Sequence, residues 1–179
     1  GDTIYIDTGT YPSGTTISNT VAGVAGNPIR FQGSPNGSVF EGGGRNLTVR
    51  GDYLDFEYLR MQGGSEGIRL WNADNCNFEH VWARSNSFAI YLLLGTSNRF
   101  RRCVTEGGGP AIRSTASAQN NYFENSVLLS DDTIVMYTVS HSISNMVGCI
   151  LGGGGEGQAF ISSSSIAFKK EIENWYICV

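Results

Sequence analysis

Arg69, Tyr91 and Arg113 follow one another at intervals of 22 residues, and Trp71 stands two places after Arg69. A guanidinium fork can bind both oxygens of one carboxylate, and Tyr and Trp offer flat faces against which a sugar ring can lie. If the chain returns to the same angular position every 22 residues, the first three form a row of cation, aromatic ring and cation. Arg69 and Arg113 are then about 9.6 Å apart, two steps of about 4.8 Å. That is close to the disaccharide repeat of an extended uronic-acid polymer. The row therefore suits an acidic polysaccharide, with Arg69, Trp71, Tyr91 and Arg113 as binding residues and both guanidinium groups free to meet carboxylates. The competing reading is a surface ladder with ordinary cation–π contacts.

The elements that would build such a row are written in the chain. Phe56, Phe78, Phe100, Phe123 and Met146 recur at spacings of 22, 22, 23 and 23. Three places on, the column reads Leu59, Val81, Cys103, Ser126, Cys149, and five places on Met61, Ala83, Thr105, Leu128, Leu151. Each copy holds two short alternating runs around a polar bend (Tyr58, His80, Arg102, Asn125, Gly148), then a small-residue loop and a third run. A fixed period of this size marks a repeat architecture, and alternation without a sustained 3.6 period marks strands. The expected fold is all-β: a single-stranded, right-handed parallel β-helix of 22–23 residues per coil, one domain over residues 1–179. In the third runs Ile68, Ile90, Ile112 and Val135 are expected inward, and Arg69, Tyr91, Arg113 and Met136 outward. A hairpin-built sandwich would want Asn-Gly or Asp-Gly turns between strands, and the single Asn-Gly, Asn36-Gly37, lies outside the repeat.

A net charge of −4 with two lysines excludes the basic stripe of a nucleic-acid binder. No apolar run reaches transmembrane length, so no membrane insertion is expected. Cys103 and Cys149 share a column two coils apart, beyond disulfide reach, and free buried thiols are expected, Cys76 among them. The first strand begins almost at Gly1, and Trp175–Val179 reads as a strand. A solenoid needs its ends covered, so the chain is expected to be part of a longer solenoid or to stack through its open coil ends on copies of itself.

The opening carries a resemblance. Gly1-Asp2-Thr3-Ile4 with Gly9-Thr10-Tyr11, then Gly26-Asn27-Pro28-Ile29, Leu47-Thr48-Val49 and Gly51-Asp52-Tyr53-Leu54, resembles the first coils of the chondroitinase B/alginate lyase family. It is similar also to secreted pectate lyases of the same fold. The resemblance covers roughly residues 1–62; from Asp74 onward the copies match the generic β-helix repeat. It implies a polysaccharide lyase in which calcium held by Asn and Glu neutralises a uronate carboxylate, a Lys acts as base and an Arg assists. The family's base stands in a Glu-x-x-x-Asn-Lys-like context, which the two lysines, Lys169 and Lys170 in IAFKKEIENWYICV, do not match. No catalytic residue is carried over.

Other patterns fail their context. Gly63-Gly64-Ser65-Glu66-Gly67 fits G-x-S-x-G but lies between two strands, and the glycine run Gly152–Gly157 precedes no helix. His80 is expected in a surface bend and His141 is isolated. Stacked loops could bring Glu66, Glu106, Asp131, Asp132 or Glu156 into one oxygen cage, so Ca²⁺ is the one cofactor the pattern admits; without a recurring carboxylate spacing, solvated loop acids are expected and no metal ligand is assigned. Arg99, Arg101 and Arg102 are expected to pair with Glu57, Glu79 and Glu124 on neighbouring coils. Asn36 and Asn46 sit in glycosylation sequons. The outward column Arg60, Trp82, Val104, Val127, Ile150 is a candidate surface for self-association. Two functions fit: an extracellular or cell-surface, secreted protein acting on acidic polysaccharide, lyase-like if an enzyme, or a structural module of a fibre, surface layer or tail-spike.

Overall fold

The computed structural model describes residues 1–179 apart from Ser13, Ser18, Asn19, Asn86, Ala116, 132–135, 139–142, 154–159, 163–175 and Val179; Thr138, 143–145, 160–162 and 176–178 are described by their backbone alone. Each pass of the chain lays down three short strands, and each strand pairs in parallel with its counterpart in the next pass, 22 residues on in the regular coils (Phe56 to Phe78) and up to 32 at the start (Thr15 to Leu47). The result is a parallel β-solenoid with three sheets of seven, eight and seven strands. The first sheet includes Ile29–Gly33, Leu54–Glu57, Asn77–Glu79, Arg99–Arg101 and Asn121–Glu124. The second includes Ser38–Glu41, Leu59–Gln62, Trp82–Ser85, Val104–Gly107 and Val127–Ser130, and the third Arg45–Val49, Glu66–Trp71, Phe88–Leu93, Ile112–Ser114 and Met136–Thr138. No helix occurs among the described residues.

One ring per coil fills the interior behind the first sheet. Phe31, Phe56, Phe78, Phe100 and Phe123 stack with centroids 5.1, 4.8, 4.7 and 4.7 Å apart and planes within 12°. Met146 continues the column in register. Phe31 adds a member that the regular spacing does not reveal. A four-residue turn at Ser34–Gly37, closed by Gly37 N–H donating to the Ser34 carbonyl at 2.9 Å, lengthens that coil. The two inward columns of the second sheet pack against this stack, and the buried thiols of Cys103 and Cys149 fill it as small apolar groups.

Between the first and second sheets the chain turns on a single left-handed residue: Tyr58, His80, Arg102, Asn125 and Gly148 have φ between 47° and 61°. Four of these N–H groups pair with the next coil. Tyr58 donates to Glu79, His80 to Arg101, Arg102 to Glu124 and Asn125 to Val147, so the ladder runs straight through the corner. The rings of Tyr58 and His80 stack 4.9 Å apart.

Where the third sheet leads back into the first, Asn98 and Asn121 are fully buried. Asn98 Nδ2 donates to the Ala73 carbonyl and its Oδ1 accepts from Cys76 N–H, both at 2.9 Å. Asn121 Oδ1 accepts in turn from Asn98 N–H at 3.1 Å. These amides supply the backbone partners that a tight interior corner lacks.

In the coil containing Met136 the third strand departs from the expected facing. Met136, not Val135, pairs with Ile112 and is buried, and Tyr137 pairs with Arg113 on the outer face. The return there takes 24 residues, and the added residue shifts the alternation by one. Val135 lies outside the described residues. Asn46 is buried, so its sequon faces the interior rather than a glycan.

Truncating the middle of the ring stack removes contacts on both sides at once. Phe78→Ala is expected to lower unfolding free energy by about 3–5 kcal/mol, read as a fall in the denaturant midpoint at unchanged m-value.

Candidate functional site on the third sheet

The third strands break simple alternation. Gly67 and Ile68 both face inward, as do Ala89 and Ile90, and Ala111 and Ile112. A Cβ on Gly67 would meet the Ala89 carbonyl oxygen at 2.6 Å and Ala83 Cβ at 3.2 Å, so this place accepts no side chain. Two inward residues in succession reset the parity of the strand. Glu66 and Arg69, three apart, thereby stand on the same outer face, as do Phe88 and Tyr91.

That face joins all four candidate binding residues. Arg69, Tyr91, Arg113 and Tyr137 are successive rungs of one column. The guanidinium carbons of Arg69 and Arg113 lie 5.0 and 5.4 Å from the centre of the Tyr91 ring, and Arg113 also lies 4.9 Å from that of Phe88. Phe88 and Tyr91 touch at a tilt, 5.9 Å between centroids. In the next column Trp71, 37% exposed, is covered at 4.7 Å by the exposed Arg50.

The two arginines of the row differ in what they have left to offer. Arg69 and Glu66 are each only 8% exposed. Arg69 grips the Glu66 carboxylate with both arms of its fork, Nε to Oε2 at 2.7 Å and Nη2 to Oε1 at 2.5 Å, and Arg45 adds a 3.4 Å contact. Two free, equivalent cations were expected here; the structure has one neutralised and one half-exposed. Arg113 has no carboxylate partner among the described residues. Glu66 was read as a solvated loop acid, and its nearness to Arg69 follows from the reset parity, which strict alternation hides.

The other candidates fall elsewhere. Arg101 and Arg102 both pair with Glu79, at 2.8 and 2.9 Å, and Arg99 pairs with Glu124 at 2.7 Å, as cross-coil neutralisation requires. Glu106 accepts from the Trp82 indole N–H at 3.1 Å and faces Arg84 at 3.5 Å. Among the described residues no three Asp, Glu, His or Cys side chains converge. Asp132, Glu156, His141, Lys169 and Lys170 lie outside the described residues. Burial pushes the Cys76 and Cys103 thiols up to about 12 and raises Cys149 too, which removes them as nucleophiles. Arg60, Trp82, Val104, Val127 and Ile150 do form one outer column of the second sheet. Trp82, Val104 and Val127 are half-buried there and Ile150 is 38% exposed.

No protein-family profile matches the chain, and no curated protein sequence matches it. Solved structures do. Pectate lyase Pel9A superposes with a TM-score of 0.69 at 15% identity, over 90% of this chain and 49% of that one. An alginate lyase from Paenibacillus sp. str. FPU-7 gives 0.60 at 19% identity, over 87% and 70%. A rhamnogalacturonan lyase gives 0.59 at 18%, over 88% and 51%. The chain has the parallel β-helix fold of these polysaccharide lyases. It spans about half the length of the pectate and rhamnogalacturonan lyases.

Arg69→Ala leaves the buried Glu66 carboxylate without its main partner and is expected to cost about 3 kcal/mol or more. Arg113→Ala, at a half-exposed cation, is expected to cost under about 1 kcal/mol. Paired thermal denaturation checks the contrast. Glu79 supplies a pH dependence. The hydrogen bond from Arg101, aided by the nearby positive charges, holds its carboxyl below the usual glutamate range. The native state thus favours the ionised form. Its contribution is complete above the unfolded value of about 4.3 and is lost as pH falls through the lower folded value. Glu79→Gln should therefore lower stability in the neutral region, change it little at acid pH where the contribution is already lost, and so flatten the acid limb of a stability–pH curve.

Proposed function

We propose that this chain is part of an extracellular, polysaccharide lyase-like β-helix protein and that the outer face of its third sheet holds an acidic polysaccharide. The observation that carries the reading is Arg113, a half-exposed guanidinium with aromatic rings at 4.9 and 5.4 Å and no carboxylate partner among the described residues. Such a cation is partly desolvated and fixed in direction before any ligand arrives, which raises the value of a two-pronged bond to a uronate carboxylate. Phe88, Tyr91 and Trp71 supply apolar surface for the sugar rings on either side. Arg50, lying over Trp71, offers a second carboxylate contact in the neighbouring column. Arg69 acts differently: paired with Glu66, it supports the Tyr91 ring from the preceding coil and leaves the carboxylate to Arg113. The fold shared with pectate, alginate and rhamnogalacturonan lyases supports a polymeric, uronate-bearing ligand.

Titration calorimetry with an oligomer of uronic acids tests the reading. Arg113→Ala should weaken binding about ten-fold or more, the scale of one hydrogen bond to a charged group, and binding of the unaltered chain should fall as salt rises. Equal affinity of the variant and the unaltered chain would remove Arg113 from the site. Failure of the unaltered chain to bind any acidic polysaccharide would favour a purely structural module.

A further inference from the structure

The first sheet's outer face carries a second cleft, of about 400 Å³, unrelated to the row on the third sheet. Three successive coils furnish it, each with two side chains two residues apart on the same face. These are Asp55 and Glu57, then Asn77 and Glu79, then Arg99 and Arg101. Arg30 closes the end beside Asp55. Its three cations balance its three carboxylates, in contrast to the third sheet, where arginine predominates.

The polar groups are already held in place. Asn77 Nδ2 donates to Asp55 Oδ1 at 2.7 Å, Arg101 binds Glu79, and Arg99 is anchored outside the cleft on Glu124. Capacity remains unspent. Glu57 is half-buried and has no partner among the described residues, and Arg30 approaches Asp55 Oδ2 only to 3.9 Å. The cleft therefore runs from a rung of acceptors, through a mixed rung, to a rung of donors. Successive rungs follow the coil repeat, 4.7–4.8 Å between stacked rings beneath them.

We infer that this cleft is a binding site for a neutral saccharide. A polyanion gains nothing from a surface of zero net charge with a spare carboxylate, and no three carboxylates converge on a cation among the described residues. Vicinal hydroxyls both donate and accept, so a ligand rich in them can use a fixed array of planar acids, amide and guanidinium groups without burying charge. The gradient of the array orients it, with hydroxyl donors toward Asp55 and Glu57 and oxygens that only accept toward Arg99 and Arg101. The inference does not depend on the acidic-polysaccharide reading.

The test is amide chemical-shift mapping on the isotope-labelled 179-residue chain, with neutral hexasaccharides of glucose, mannose, galactose and xylose as probes. At least one should shift amides of Leu54–Glu57, Asn77–Glu79 and Arg99–Arg101. Its affinity should change less than about two-fold between about 0.05 and 0.5 M NaCl, because no net charge is neutralised. Glu57→Ala, which breaks no hydrogen bond or ion pair among the described residues, and Asp55→Ala should each weaken it about ten-fold, whereas Arg113→Ala should leave it unchanged. Absence of shifts with all four sugars overturns the inference, as does binding that survives both substitutions in folded protein. Displacement of the sugar by a uronic-acid oligomer acting on the same amides would overturn the neutral-ligand assignment.

Discussion

Everything in this protein depends on each coil coming to rest on the one before it in register. The ring stack from Phe31 to Phe123 is where that requirement is strictest. A flat ring can lie on a flat ring at 4.7 Å only if both strands enter the first sheet at the same angle and depth. Once they do, the positions before and after each ring must face outward, and the two remaining sheets inherit the alignment through corners of fixed length. A slip of one residue would turn the ring outward and bring a charged neighbour such as Glu79 or Arg101 into the core.

The exterior is correspondingly one-dimensional, because side chains meet their neighbours along columns. The three outer faces share a scaffold and differ in chemistry. On the first, acids and bases alternate and cancel across coils. On the second, a half-buried strip runs through Trp82, Val104 and Val127 to the more exposed Ile150. On the third, arginines and aromatic rings interleave. A substitution in one column is felt one coil up and one coil down before it is felt on another face. This is why Arg69 matters to Tyr91, and Tyr91 to Arg113, although the three are far apart in sequence.

The coil and its inward columns were legible in the chain because five copies repeat them almost without insertion. What escaped notice did so for local reasons. Phe31 was hidden by the longer turn at Ser34–Gly37, and Met136 by a single added residue. The pairing of Glu66 with Arg69 was hidden because strands were taken to alternate, although the small-residue–isoleucine pairs Gly67-Ile68, Ala89-Ile90 and Ala111-Ile112 announced the break. Asn98 and Asn121 occupy the same inward column as Cys76, and their interior placement could have been read from that column. An asparagine inside a core becomes intelligible only once the carbonyls and N–H groups it serves are located. The grouping of the candidate residues on one face was therefore legible, and their electrostatics were not.

The ten described non-glycine residues with left-handed backbones all fall in three corner columns: Tyr58, His80, Arg102 and Asn125; Tyr53, Asn75, Ser97 and Asn120; Asn72 and Leu94. Each such residue carries strain of about 1 kcal/mol. Compensation comes from the adjoining coil, whose carbonyls take the N–H groups of eight of the ten. Strain thus grows with the number of coils, while compensation grows with the number of junctions between coils, which is always one fewer. A solitary coil has all of the cost and none of the return, and every added coil shrinks the deficit relative to the whole. The geometry of the corners consequently sets a smallest size for the object: below a few coils there is no folded state to occupy, and above that length the stack extends on equal terms at every step.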